Sequence, residues 1–283
     1  MLTTRHYGVS THVVHGQRLG REHLREIAAH GFEAVELFAT RTHFDYHNPA
    51  TIADLGGWLA ESGLVLHAVH APVVESVVGR RWGPAINIAT ADPAARAAAL
   101  RETELALQIA RRIPTRFFVL HLGLPTSQHP APDDNSRHAA LKSIAALQAP
   151  AASLGVRLAV EVIPNSLSQA ASLVHAIEHD LELPDVGICL DFGHAHLGGD
   201  LLDAIEVISG HLATTHVHDN RGRNDDHLVP FEGTIEWDGA LLALQKVGYD
   251  GMLMFEVDGA GPLRDVLKRA RDARARFERI FGA

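Results

Sequence analysis

The chain has 283 residues, of which 46% are hydrophobic and 21% charged, and this balance excludes an intrinsically disordered protein. Its formal net charge of −9 argues against a nucleic-acid partner, because phosphate binding depends on Lys and Arg. The single cysteine, Cys189, excludes an internal disulfide and indicates a reducing, cytoplasmic setting. The sequence shows neither the apolar core of a signal peptide nor a run of ~20 apolar residues that could cross a bilayer.

Strand-like and helix-like segments alternate along the whole chain. The predicted strands are residues 5–10, 33–37, 64–70, 116–121, 157–162, 186–191, 213–218 and 252–257. The predicted helices are residues 20–30, 51–62, 93–112, 136–154, 168–180, 201–210, 238–247 and 262–280. Strict alternation predicts an α/β fold, a (β/α)₈ TIM barrel, with residues 1–283 as a single domain.

The later strands end at or near side chains that can bind a metal ion. Their sequences are LVLHAVH, FFVLH, LAVE, VGICLDFGH, ATTHVHD and GMLMFE. Strand packing favours Val, Ile and Leu at such positions, whereas the carboxyl ends of barrel strands converge on one face. An open doubly wound sheet would bring only a few strand ends to its ligand. The pattern therefore favours a closed barrel with a metal site at its mouth.

Four of these strand ends supply the predicted metal ligands. Glu161, Asp191 and Glu256 each follow at least three apolar residues, and a carboxylate in such surroundings is costly unless a positive charge compensates it. His216 adds a nitrogen ligand from the seventh strand. This set of nitrogen and oxygen ligands suits Mn²⁺, Co²⁺, Zn²⁺ or Mg²⁺.

Further side chains could complete a second and a third metal site. Two histidines that end the third and fourth strands could hold a second ion with Glu161. A histidine three residues after Asp191 could hold a third ion with an Asp-x-His pair in the loop after the seventh strand. These side chains are His70, His121, His194, Asp225 and His227. Roles as hydrogen-bond donors or substrate-binding groups, without a metal, stay open.

The chain resembles the xylose-isomerase-like barrel superfamily, which groups sugar isomerases and epimerases with endonuclease-IV-type enzymes. The resemblance is carried by HAVHAP (67–72), VLHLG (119–123), VEVIPN (160–165), LDFGHAHLGGD (190–200), HVHDNRGRNDDHLVPFEGTIEW (216–237) and FEV (255–257). For the isomerases and epimerases it implies one metal held by Glu161, Asp191, His216 and Glu256, with both glutamates doubling as acid and base. For the endonuclease-IV type it implies three zinc ions, and all nine matching positions are present.

Two features depart from these relatives. The epimerases carry a further glutamate six residues after the fifth-strand glutamate, where this chain has Leu167. The endonucleases look like basic proteins, whereas this chain has a charge of −9 and an acidic Asp225-Asp226 pair. The first departure puts the epimerases' substrate handling in doubt, and the second opposes DNA as a substrate.

The favoured hypothesis is an isomerase or epimerase of a sugar or sugar derivative that transfers a proton next to a carbonyl through a metal-stabilised enediolate. Glu161 and Glu256 are the predicted catalytic pair. The predicted substrate-binding residues are His194, Arg221, Trp82 and Phe44. The long loops 71–92 and 122–135 could act as lids.

Other outcomes at the same site remain open. A lyase or dehydratase could act on an oxidised sugar or glycoside, and a phosphodiesterase could use two or three zinc ions. The expected partner is a small sugar rather than a nucleic acid or a membrane, and association into a homo-oligomer is left open.

Overall fold

The computed structural model describes residues 5–79, 81–180, 185–199, 201–258 and 261–282. The barrel strands are β1 (His6–Ser10), β2 (Ala34–Phe38), β3 (Val65–His70), β6 (Phe117–Leu120), β7 (Arg157–Glu161), β8 (Gly187–Asp191), β9 (Leu212–Val217) and β10 (Met252–Phe255); β4 (Val77–Val78) and β5 (Arg81–Trp82) form a separate hairpin. The barrel closes in the order β1-β10-β9-β8-β7-β6-β3-β2 with every pairing parallel. The predicted (β/α)₈ barrel is therefore confirmed.

The α-helices surround the barrel. They are α1 (Arg21–Ala29), α2 (Pro49–Ser62), α3 (Pro93–Leu107), α4 (Arg137–Ser153), α5 (Ala170–His175), α6 (Phe192–Leu197), α7 (Leu201–Val207), α8 (Trp237–Lys246) and α9 (Leu263–Gly282). Local sequence fixes several ends: the Asp92 side chain accepts hydrogen bonds from the amides of Ala94 and Ala95 at the start of α3. None of the helices in these ranges is long and apolar enough to cross a membrane.

Two hydrophobic clusters hold the barrel together. The larger lies between the strands and the helices. The smaller lies within the barrel and consists of Ala68, Phe117, Val119, Ala159 and Cys189. Cys189 is fully buried, and burial raises the pKa of its thiol. The polar side chains that end the strands lie beyond this smaller cluster, at the carboxyl end of the barrel.

His43 is a buried histidine that joins two loops at the start of the chain. Its Nδ1 lies 2.6 Å from the carbonyl oxygen of Gln17, and its Nε2 lies 3.1 Å from the hydroxyl of Thr11. A carbonyl only accepts, so Nδ1 carries the proton and Nε2 accepts from Thr11. Burial, reinforced by His15, His23 and Arg18, lowers the pKa of His43 to about 4.

This lowered pKa predicts a loss of stability in mild acid. Below its ordinary pKa of about 6.5, His43 takes up a proton in the unfolded chain but not in the folded one. The free energy of unfolding should fall as the pH drops from about 6.5 to about 4, by about 2 kcal/mol between pH 7 and pH 5. Urea unfolding of wild type and His43→Gln at pH 7 and pH 5 measures the contribution of His43 to this change in the free energy of unfolding. The variant should depend less on pH, and an equal dependence in the two proteins would contradict the assignment.

Candidate metal centre

The four predicted metal ligands meet at the mouth of the barrel. Glu161 and Asp191 are the last residues of β7 and β8, His216 lies near the end of β9, and Glu256 directly follows β10. All four are buried, and one ligand atom from each lies within 4.8 Å of the others. The closed barrel brings the strand ends together, because β7, β8 and β9 are parallel neighbours whose carboxyl ends face the same way.

The surroundings of His216 show why a cation fits here. Its Nε2 lies 2.9 Å from Oε2 of Glu36. An ionised carboxylate oxygen only accepts hydrogen bonds, so Nε2 carries the proton and donates to Glu36. Its Nδ1 then points at Oε2 of Glu256 and Oε2 of Glu161, at 3.2 and 3.3 Å, and makes no hydrogen bond. A neutral ring would thus aim a buried lone pair at two carboxylates, an arrangement that a divalent cation between them makes favourable.

The local electrostatics agree with that geometry. Burial opposes a charged imidazole, yet the acidic groups around it, Glu256, Glu36 and Glu161 among them, hold the pKa of His216 well above its usual range. Burial likewise opposes ionisation of Glu36, but the adjacent His216 lowers the pKa of that carboxyl. The pocket therefore favours positive charge at His216, which a proton or a metal ion can supply.

A second group surrounds the other side of Glu161. His70 Nε2 and His121 Nε2 each lie 3.1 Å from Oε2 of Glu161. The Nδ1 of His70 donates to the carbonyl oxygen of Ala71 at 2.8 Å, which leaves Nε2 free to act as a ligand. Burial disfavours charge on His70, but Glu161 raises its pKa to about 9. His70, His121 and Glu161 could therefore hold a second ion.

A third group lies further out. His194 Nε2 and His227 Nε2 approach Oδ2 of Asp225 at 3.0 and 3.2 Å. The other nitrogen of His194, Nδ1, lies 3.1 Å from Oε1 of Glu161, so His194 connects this group with the first two. The four predicted ligands and the five further side chains that could hold a second and a third ion thus assemble at one place. Their ligand roles stay a prediction.

Three site residues lie outside the predicted metal-ligand and substrate-binding sets. Glu36 lies inside β2, where the register with β3 shifts beside it, and such bulges redirect side chains near functional sites. His218 is fully buried, with Nε2 2.9 and 3.0 Å from the two oxygens of Asp191. His12 packs face to face with His15, with ring centroids 4.4 Å apart. A charged residue inside AVELF and the alternating histidines of HVHD were the available signals.

A cavity of about 880 Å³ opens above these residues. Its floor includes His70, His121, Glu161, His194 and Glu256. Residues of both predicted lid loops form the upper wall, namely Val73, Val74, Trp82, Gly83, Ala85, Ile86, Gly123, Leu124, Pro125, Ser127 and Gln128. Within the described ranges, the lining contains no lysine or arginine. The cavity is thus acidic at its floor and largely apolar above.

The predicted substrate-binding residues do not all lie in this cavity. His194 and Trp82 line it, and the Trp82 ring is 47% exposed. Phe44 is not among the lining residues and is only 1% exposed, because its loop turns back through hydrogen bonds to Thr40 and packs the ring into the core. That prediction is wrong. The Arg221 side chain is 60% exposed, lies 3.9 Å from Asp226 and does not line the cavity.

Comparison with known proteins identifies the family. The family model described as xylose isomerase-like TIM barrel matches residues 24–279. The chain belongs to this family. The barrel is also similar to the protein MJ1311 of Methanocaldococcus jannaschii, with 27% identity over 93% of this chain and 86% of that protein.

Solved structures show the same fold. A D-tagatose 3-epimerase-like protein superposes on this xylose isomerase-like barrel with a TM-score of 0.79 and 22% identity, covering 99% of this chain and 98% of that one. The IolI protein, solved with a bound zinc atom, superposes with a TM-score of 0.77 and 16% identity, covering 97% and 98%. At these identities the likeness extends to the fold.

Proposed function

We propose that this xylose isomerase-like barrel is a metal-dependent sugar isomerase or epimerase that moves a proton at a carbon next to a carbonyl group. The observation that carries the proposal is the approach of both Glu161 and Glu256 to His216 Nδ1, at 3.3 and 3.2 Å, with both carboxylates lining the cavity floor. A pair of carboxylates around one bound substrate can remove a proton and return it. The fold shared with a D-tagatose 3-epimerase-like protein supports the same reaction class.

Glu161, Asp191, His216 and Glu256 would hold the metal ion. When bound, a divalent cation would polarise the substrate carbonyl and reduce the cost of negative charge on its oxygen. Glu36 fixes the orientation of His216 through its Nε2. The amide of His194 donates to Oδ1 of Asp191 at 2.7 Å and fixes that carboxylate. These contacts preorganise the site before substrate binds.

The two glutamates would exchange protons with the sugar. One carboxylate oxygen would accept the proton from the substrate carbon, and the other carboxyl group would return a proton to the opposite face or to the neighbouring carbon. Such general acid–base catalysis contributes about 10²–10⁴-fold to the rate. The lid-loop residues above the floor would limit the access of water to the reacting carbon.

The cavity favours an unphosphorylated sugar. Its floor carries Glu161 and Glu256, and Asp225, Asp226 and Asp258 lie among its other lining residues. A sugar phosphate would add negative charge beside these carboxylates without an arginine or lysine in the lining to pair with it. Histidine and glutamine side chains can instead bind neutral hydroxyls, and Trp82 can cover the apolar face of a sugar ring.

Deuterium exchange tests the proposal directly. Metal-stripped protein, and the same protein reloaded with Mn²⁺, Co²⁺, Zn²⁺ or Mg²⁺, are incubated in D₂O with free ketoses and their phosphate esters. We expect deuterium at the carbon next to the carbonyl only after metal is restored, and faster exchange with the free sugars. A product that differs in mass from the substrate only by the incorporated deuterium indicates an isomerase or epimerase, whereas loss of a group indicates a lyase. Absence of exchange with every sugar and metal would contradict the proposal.

A second candidate is a multi-zinc phosphodiesterase. The assembly of His70, His121, His194, Asp225 and His227 around the first four residues favours it, because two- and three-metal sites are suited to phosphate esters. The net charge of −9 and the acidic cavity disfavour a nucleic-acid substrate. Zinc-loaded protein with abasic-site DNA and with bis(p-nitrophenyl) phosphate tests this candidate. Cleavage of either substrate, together with three zinc ions per chain, would support it.

A further inference from the structure

We infer that Asp219 is a positioning residue of the candidate site. Its carboxylate holds the segment between β9 and α8, residues 218–236 and here called the β9–α8 loop, so that Asp225 and His227 face the cavity. Asp219 itself belongs neither to the catalytic pair nor to the predicted metal ligands. The role rests on the proposed function only insofar as a sugar occupies the cavity. Its basis is a set of hydrogen bonds that converge on one buried carboxylate.

The β9–α8 loop is long for a segment that contains no helix or strand. Connections of more than ~12–15 residues are uncommon in compact domains and are usually functional or disordered. Here the amide of Asp219 donates to the carbonyl oxygen of Leu228, and the amide of Leu228 donates to that of Asp219, both at 2.8 Å. Asp225 and His227 lie between these two residues and line the cavity. Whatever holds the loop therefore sets the position of both side chains.

The side chain of Asp219 is fully buried and accepts four hydrogen bonds. Its Oδ1 accepts from the amides of Asn220 and Ile235 at 2.9 and 3.1 Å. Its Oδ2 accepts from the amide of Phe231 and from Nε1 of Trp237, both at 2.9 Å. All four partners are N–H groups, which only donate, so neither oxygen carries a proton. One ionised carboxylate thus joins the start of the loop to its end through charge-assisted hydrogen bonds.

The loop comes close to this carboxylate because residue 233 is a glycine. A Cβ atom on Gly233 would collide with Oδ1 of Asp219 and with the carbonyl oxygen of Asn220. The first atom is fixed by its hydrogen bonds, and the second belongs to the backbone, so neither can move aside easily. A side chain at this position would therefore push the loop away from the carboxylate.

Two residues of the loop adopt the left-handed backbone region, which residues other than glycine rarely occupy. The angle φ is 45° at His227 and 75° at Phe231. Such conformations persist only where the surrounding structure imposes them. Asp219 holds the amide of Phe231 directly, and the Phe231 ring packs against Trp237 and Phe277 with ring centroids 6.0 and 5.6 Å apart. The carboxylate therefore helps to impose a strained path on the loop.

This path determines what the loop presents to the cavity. The Nδ1 of His227 donates to the carbonyl oxygen of Glu256 at 2.8 Å, and its Nε2 lies 3.2 Å from Oδ2 of Asp225. A loop released from Asp219 would lose the support for these contacts. Glu161 and Glu256 would keep their places, because they lie at the ends of barrel strands. We therefore expect Asp219 to influence sugar binding more than proton transfer.

Hydrogen exchange of the protein backbone tests this role. Wild type, Asp219→Asn and Gly233→Ala are compared by mass spectrometry of peptic peptides. Asparagine replaces one acceptor oxygen by an N–H₂ group that faces other donors, whereas the alanine displaces the loop and leaves the carboxylate intact. In both variants we expect exchange within residues 220–235 to rise at least about tenfold. Peptides from β7 and β8 should keep their wild-type protection.

Asp92→Asn is the matched control for this measurement. A single oxygen of Asp92, Oδ1, accepts from the amides of both Ala94 and Ala95, and asparagine keeps that oxygen. The same chemical change should therefore leave exchange in the β9–α8 loop at the wild-type rate.

Sugar kinetics supply a readout that a loss of stability alone would not change. A smaller folded fraction lowers the apparent kcat and leaves KM as it is, whereas a displaced loop weakens binding. For Asp219→Asn and Gly233→Ala we expect the KM of the sugar to rise at least about tenfold, with a smaller change in kcat.

Wild-type loop protection in folded Asp219→Asn or Gly233→Ala would overturn the inference. Exchange that rises equally in the loop, β7 and β8, or failure of both variants to fold, would also overturn it, because the carboxylate would then stabilise the whole barrel. An unchanged KM in both variants would exclude a role in the site. If wild type exchanges deuterium into no sugar, the proposed function fails, and backbone exchange still decides whether Asp219 positions the loop.

Discussion

Glu161→Gln and Glu256→Gln are each expected to slow deuterium exchange into the sugar by about 10²–10⁴-fold. Glutamine keeps the size of the side chain but cannot accept the substrate proton. Mass spectrometry of the sugar measures the exchange, and metal analysis of the same samples separates lost basicity from lost metal. This distinction matters most for Glu161, whose oxygens contact His70, His121 and His194.

Glu178→Gln provides the control for these variants. Glu178 does not line the cavity, pairs with His211 and is about half exposed. Its replacement makes the same chemical change and should leave the exchange rate unchanged. Wild-type exchange in either active-site variant, with a normal metal content, would rule out the proposed acid–base roles.

Glu36→Gln is expected to weaken metal binding by about 10–100-fold without removing a ligand. Glu36 accepts the Nε2 proton of His216, and the carboxylate makes the opposite nitrogen a stronger ligand. Glutamine keeps the shape but can present its amide N–H₂ to His216, which would favour the wrong tautomer. Competition with a chromogenic chelator measures the dissociation constant.

Glu33→Gln is the matched control for Glu36→Gln. Glu33 immediately precedes β2 and pairs with a histidine, His6, but this pair is about half exposed. Loss of this exposed pair should leave the metal affinity unchanged, because solvent already screens the interaction between the two side chains. Equal metal affinity in wild type and Glu36→Gln would mean that the buried contact does not tune the site.

The fold could be predicted because the signal is local. The run LVLHAVH predicts a strand at 64–70, and the structure has Val65–His70. Alternation of such runs with helical segments leaves the closed barrel as the favoured arrangement. The predicted helix 168–180 is less regular: α5 ends at His175 and a π-helical turn follows, a change of hydrogen-bond pattern that hydrophobic periodicity does not encode.

The convergence of site residues was predictable where they end strands. Glu161 and Asp191 meet because β7 and β8 are neighbours in the barrel. The sequence does not indicate Glu36, because this residue lies inside a strand and its partner His216 is 180 residues away. The prediction of Phe44 as a substrate-binding residue is wrong, because an aromatic residue in a loop does not indicate which way the loop turns. Such contacts depend on tertiary structure, which a single sequence specifies only indirectly.

The burial of the lone cysteine gives the barrel an intrinsic reporter. Cys189 lies in the strand between Glu161 and His216 in the barrel order, without access to solvent. Reagents that attack thiolates can reach it only when the neighbouring strands separate. The rate of thiol modification in native buffer therefore records how often the barrel opens. A slower rate after metal loading would measure, without any engineered label, how much the bound ion stabilises the closed barrel.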